Sequence, residues 1–147
     1  MDEALAPLHG PPALLSIGLK SGGTTPRNRE VEDALGEFQR KVIRERQRYE
    51  NEGLRINIIF MIPGRFFSPD FEGVRATRLD RRNQHLLIAA AVPRDLRQDV
   101  NAYLAGVLRT ALNESTAYLH RKKLSVDTNR VTQLITDLLT ELEPPPD

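Results

Sequence analysis

The sequence predicts an α+β domain: a mainly antiparallel sheet of three or four strands, covered by three helices, in the order β-α-β-β-β-α-α. Three observations carry that expectation. Leu54 to Ile62 (LRINIIFMI) and His85 to Val92 (HLLIAAAV) are apolar runs of strand length, each closed by a proline. Between them, Val74 to Leu79 (VRATRL) alternates apolar and polar residues as a half-buried strand does. Three other stretches repeat their apolar residues at helical spacing.

Taken along the chain, residues 1 to 12 hold three prolines and no sustained periodicity, and are expected to be a flexible leader. Ala13 to Lys20 (ALLSIGLK) is short, apolar and followed by Ser21-Gly22-Gly23, which suits a strand. From Glu30 to Tyr49 the residues Val31, Leu35, Phe38, Val42 and Tyr49 form one stripe, with Asn28 as the expected cap. Gly53 closes that helix, and Leu54 to Ile62 reads as a buried central strand. Asp80-Arg81-Arg82-Asn83 is polar turn material between VRATRL and HLLIAAAV, and these segments are expected to make a β-hairpin with a third strand nearby.

From Asp95 the period becomes helical, through Leu96, Val100, Tyr103, Leu104, Val107, Leu108, Ala111, Leu112, Ser115, Tyr118 and Leu119, about seven turns. A last helix follows Asp127, its expected cap, with Val131, Leu134, Ile135, Leu138, Leu139 and Leu142 in phase. Residues 13 to 143 are thus read as one domain and residues 144 to 147 as a proline-rich tail. A sheet with helices on one side leaves the outward side chains of HLLIAAAV uncovered, so a homodimer that buries them is a further expectation.

Composition narrows the chemistry. The 147 residues contain no cysteine, which removes disulfides, thiolate nucleophiles and cysteine-based zinc sites. Twenty-one basic residues against twenty acidic ones leave a net charge of +1, so no global field draws the chain to nucleic acid or anionic lipid. No apolar run reaches the ~18 residues of a membrane span, and Asp2 and Glu3 stand where a signal peptide carries positive charge. A cytoplasmic location with no membrane partner is the expectation.

Catalytic signatures are sparse. The three histidines, His9, His85 and His120, are unpaired, and no HExxH or GxSxG pattern occurs. Ser21-Gly22-Gly23-Thr24-Thr25 lacks the lysine that follows the glycines of a phosphate loop. Pro69-Asp70 could open a nuclease core, but no Glu-x-Lys or Asp-x-Lys follows it. The expectation is a non-enzyme with no metal site, no cofactor and no catalytic residue.

Binding is the remaining class. Pro63 to Gly73 (PGRFFSPDFEG) holds three of the five phenylalanines in one loop. Apolar anchors beside charges of both signs suit a protein interface, with Phe66, Phe67, Asp70, Phe71, Glu72 and Arg75 as candidate contacts. Core packing of the same rings is the competing role. Arg78, Arg81 and Arg82 on the hairpin, with the arginine-rich first helix, support the alternative of a nucleic-acid-binding module.

The stretch from Ile58 to Val92, with Pro63-Gly64, the run Phe67 to Arg75 (FSPDFEGVR) and Leu86 to Pro93 (LLIAAAVP), precedes a long helix. In this it resembles small cytoplasmic actinobacterial proteins encoded near polymorphic-toxin genes and regarded as immunity proteins. The resemblance implies a non-enzymatic bacterial protein that binds a toxin domain and blocks its active site, and it transfers no functional residue.

Overall fold

In a computed structural model the described residues are 12–21, 26–47, 53–63, 73–93 and 96–142. They form β1 (Ala13–Ser21), α1 (Pro26–Gln47), β2 (Leu54–Ile62), β3 (Gly73–Asp80), β4 (His85–Ala91), α2 (Val100–Arg121) and α3 (Asn129–Leu142). The strands make one sheet in the order β1-β2-β4-β3. β1 and β4 both run parallel to β2, and only β3 and β4 are antiparallel.

The sheet is therefore mixed, which corrects the mainly antiparallel expectation. A 22-residue helix separates β1 from β2, and a crossover of that kind returns the chain to its starting end, so the strands it joins run the same way. The four-residue turn Arg81–Gln84 then reverses β3 into β4. Asp80 holds that turn, its carboxylate accepting from the Asn83 amide at 3.1 Å and the Asn83 side chain at 2.8 Å. Because β4 sits between β2 and β3, the antiparallel hairpin leaves β4 parallel to β2.

Two helix starts also differ from expectation. The first helix begins at Pro26, and proline suits a first turn because its missing amide hydrogen would be unsatisfied there anyway; Asn28 lies inside that turn instead of capping it. The long helix begins at Val100, about six turns in length, because the Asp99 carboxylate accepts the Ala102 amide and sets the boundary there. Leu96 is buried but precedes it. Asp127 does act at the start of α3, accepting the Asn129 amide at 2.9 Å.

Strand alternation assigns the faces. Along β2, Leu54, Ile56, Ile58, Phe60 and Ile62 are buried, while Arg55, Asn57, Ile59 and Met61 are half-buried. The buried set continues through register partners, so Ile17, Ile58 and Ile88 form one row across three strands. Onto this face α1 lays Val31, Leu35, Phe38 and Val42, α2 lays Leu104, Leu108 and Ala111, and α3 lays Val131, Ile135, Leu138 and Leu142, all in one cluster. Each Val, Leu, Ile or Phe side chain among them contributes about 1.5–3 kcal/mol on burial. α1 and α3 pack on β1, and α2 packs on β3 and β4. Lys41 and Glu141 pair between α1 and α3.

Candidate functional site: the sheet face opposite the described helices

All three helices lie on one side, so the residues of opposite parity define a face that no described helix covers. In register, β1 contributes Leu14, Ser16, Gly18 and Lys20, and β2 contributes Arg55, Asn57, Ile59 and Met61. β4 contributes His85, Leu87, Ala89 and Ala91. β3 contributes Gly73, Arg75, Arg78 and Asp80. Ile59, Met61, Leu87 and Gly18 are half-buried and Gly73 is exposed, while Leu14, Ala89 and Ala91 are buried. At Gly18 an added Cβ would stand 3.6 Å from the Asn57 Oδ1.

A bulge decides which β3 residues reach this face. Pairing shifts between Ala76 and Arg78, so Thr77 is the extra residue, and its hydroxyl donates to the Leu87 carbonyl at 3.3 Å. Strict alternation would turn Arg78 toward the helices and Leu79 outward. The shift reverses both, pairing Arg78 with Leu87 and Leu79 with Leu86. Arg75 and Arg78 consequently stand on one face, both exposed.

The face is cationic at its edges. Lys20, Arg55, Arg75 and Arg78 surround the apolar strip, and Asp80 is the one carboxylate among its described positions. Hydrogen bonds from the Asn83 side chain and amide hold the Asp80 carboxyl below its usual range. His85 lies between Arg55 and Asp80. Desolvation, reinforced by the Arg55 charge, lowers its pKa against the opposing pull of Asp80, so the imidazole favours its neutral form. Two buried side-chain atoms on this face, Asn57 Oδ1 and His85 Nε2, have no hydrogen-bond partner.

Of the residues singled out from sequence, Arg75 and Arg78 are brought together here, whereas Arg81 and Arg82 sit in the exposed β3–β4 turn, with Arg81 lining a separate cavity. Phe66, Phe67, Asp70, Phe71 and Glu72 lie outside the described residues. The strands that flank them are described, and β2 ends and β3 begins two strand positions apart at one end of the sheet. Ile59, Met61, Arg55 and Asn57 were not recognised from sequence as surface residues. Their signal was the alternation itself, open at Arg55 and Asn57 and hidden at Ile59 and Met61 because Ile58 to Ile62 is apolar at every position.

Among the described residues no group of three or more His, Asp or Glu stands close enough to hold a metal ion. No described helix is long and apolar enough to cross a membrane. His120 and Arg121 occupy the last turn of α2, where positive charge complements the helix dipole, and Arg121 and Lys122 stack near the Tyr118 ring at 5.6 and 5.5 Å. Burial pushes the Tyr103 phenol up, and its hydroxyl donates to the Ala91 carbonyl inside the core. Compared with known proteins, the chain matches no family model, no curated protein and no solved structure.

Proposed function

We propose that this chain is a protein-binding domain that docks its partner on the face of the sheet that no described helix covers. The observation that supports this most is the apolar strip of Ile59, Met61 and Leu87, set among small residues and rimmed by Lys20, Arg55, Arg75 and Arg78. An apolar centre with a charged rim is the anatomy of a protein interface, and the sign of the rim selects a partner with acidic residues around an apolar patch. The orphaned Asn57 Oδ1 and His85 Nε2 add to this reading, because folded domains leave few buried polar atoms unpaired. The resemblance to immunity-type proteins narrows the partner to a bacterial toxin domain, with inhibition by occlusion as the action.

The excess of basic groups on the same face favours a second reading, a nucleic-acid-binding module. Against it, the face's described positions hold no Phe, Tyr or Trp and a single imidazole, His85, whereas sheet surfaces that bind single strands use several aromatic rings to stack bases. Affinity purification from the native host, followed by calorimetry with the purified partner, tests the first reading. Charge reversal by Arg75→Glu with Arg78→Glu is expected to weaken that complex. A mobility shift with generic DNA or RNA, steeply weakened by salt and lost in the same variant, would instead establish the second.

A further inference from the structure

A separate cavity of 240 Å³ opens at the other end of the molecule's architecture, where β2 starts, β3 ends and the connector between α2 and α3 passes. Its apolar lining is Leu54, Leu79, Leu124 and Val126. Leu54 is buried, and the other three are half-buried around it. The polar residues at its walls are Arg81, Gln84 and Ser125, so among the described lining residues the one charge is a cation. Of the acids adjacent to lining residues in sequence, Asp80 is engaged by Asn83 and Asp127 accepts the Asn129 amide.

The walls are fixed by main-chain hydrogen bonds on both sides. The Gln84 carbonyl accepts the Arg55 amide at 2.8 Å, and Leu124 and Lys123 donate to Leu119 and His120 at 3.0 Å each. Gln84, with φ of 51°, and Lys123, with φ of 57°, are the non-glycine residues with positive φ among the described residues, and both belong to this frame. Left-handed backbone at such residues costs free energy and tends to collect where a ligand is held. The volume lies just below the roughly 300–1,000 Å³ of sites for drug-sized ligands, which sets the scale at a small fragment, not a nucleotide.

We infer that this cavity binds a small amphiphilic monocarboxylate, its hydrocarbon tail against Leu54, Leu79, Leu124 and Val126 and its carboxylate paired with the Arg81 guanidinium. Gln84 and Ser125 supply the remaining polar contacts at the mouth. The inference is independent of the partner surface, since its residues do not overlap the uncovered face.

The test is titration of the isotope-labelled full chain by NMR with octanoate, octanol and acetate. Octanoate should shift the amides of Gln84, Ser125 and Val126 saturably, and bind at least about tenfold more tightly than octanol, the low end for one charge-assisted hydrogen bond. Acetate, without the tail, should not saturate in the same range. The Arg81→Ala variant, whose side chain is exposed and whose loss leaves the fold intact, should bring octanoate down to the level of octanol, and Leu79→Phe should fill the cavity and remove both. Absence of saturable shifts at those amides overturns the inference, as does octanol equal to octanoate or full octanoate affinity in Arg81→Ala.

Discussion

Arg55 on β2 and His85 on β4 are register partners on the uncovered face, and the positive charge of the first adds to desolvation in keeping the second neutral. Asp80, paired with His85 from β3, pulls the other way without prevailing. A folded-state pKa below 6.5 means that the unfolded chain takes up the proton first as pH falls. Stability from this group is therefore complete above about pH 6.5 and declines as pH drops toward the folded value. The effect is modest because the ring is partly solvated. Denaturant unfolding at several pH values should show stability rising with pH through this window, with a smaller rise in His85→Gln than in wild type.

Gly53 and Gly73 form a matched pair of glycines with positive φ, at 110° and 86°. A Cβ on Gly73 meets nothing within 4 Å, so Gly73→Ala should cost only backbone strain, of order 1 kcal/mol. At Gly53 the same atom would stand 1.9 Å from the Pro12 carbonyl oxygen, which also accepts the Leu54 amide at 2.9 Å. Gly53→Ala should therefore cost several times as much, because backbone must move and this bond from β2 to Pro12, just before β1, is disturbed. Chemical denaturation of the two variants checks the order.

Thr77 is the one residue of β3 that the ladder does not need. Removing it leaves Val74, Ala76 and Leu79 facing the helices and Arg75, Arg78 and Asp80 facing out in strict alternation. Deletion of Thr77 should change stability by no more than about 1 kcal/mol. Deletion of Asn57 from the regular strand β2 should unfold the chain, since every later residue of the strand changes face. Circular dichroism and thermal melting of the two deletions separate these outcomes.

Ile58, at the centre of the row Ile17–Ile58–Ile88, is fully buried beneath the helices. Ile58→Ala should cost about 2–5 kcal/mol, through lost transfer energy and the cavity left in a packed row. Ile43→Ala, at a position 43% exposed on α1, should cost far less. Equal losses in the two variants, measured by denaturant unfolding, would contradict this placement of the core.

Much of the fold was legible because local physics and tertiary packing agreed. The stripe on α3 has the helical period, and four of its six apolar residues are buried against the domain's own core. The helix between β1 and β2 makes that pair parallel, a consequence that the mainly antiparallel expectation left undrawn. That β4 takes the place beside β2 depends on a connection that skips a strand position, and no local pattern in the chain encodes such a skip. Leu96 stayed in phase with the long helix, so periodicity overran the boundary that the Asp99 side chain sets.

The site was legible in pieces. Arg75 and Arg78 drew notice as charges in a hairpin, but their common face follows from the bulge at Thr77, which leaves only a phase break between Ala76 and Leu79 in the sequence. Ile59 and Met61 were hidden for the opposite reason. An unbroken apolar run reads as buried on both sides, and here the helices cover only one.

The measurement that bears most directly on the proposed docking face is the dissociation constant of the purified partner complex for Ile59→Asp with Leu87→Asp, set beside Ile43→Asp on the helical side. Each variant is first checked by thermal melting, and the exposed pair Arg75→Glu with Arg78→Glu replaces the double variant if it does not fold. A carboxylate in the centre of an interface should weaken binding by about thirtyfold or more, while Ile43→Asp leaves it unchanged. Wild-type affinity in the face variants, or an equal loss in Ile43→Asp, would contradict the assignment.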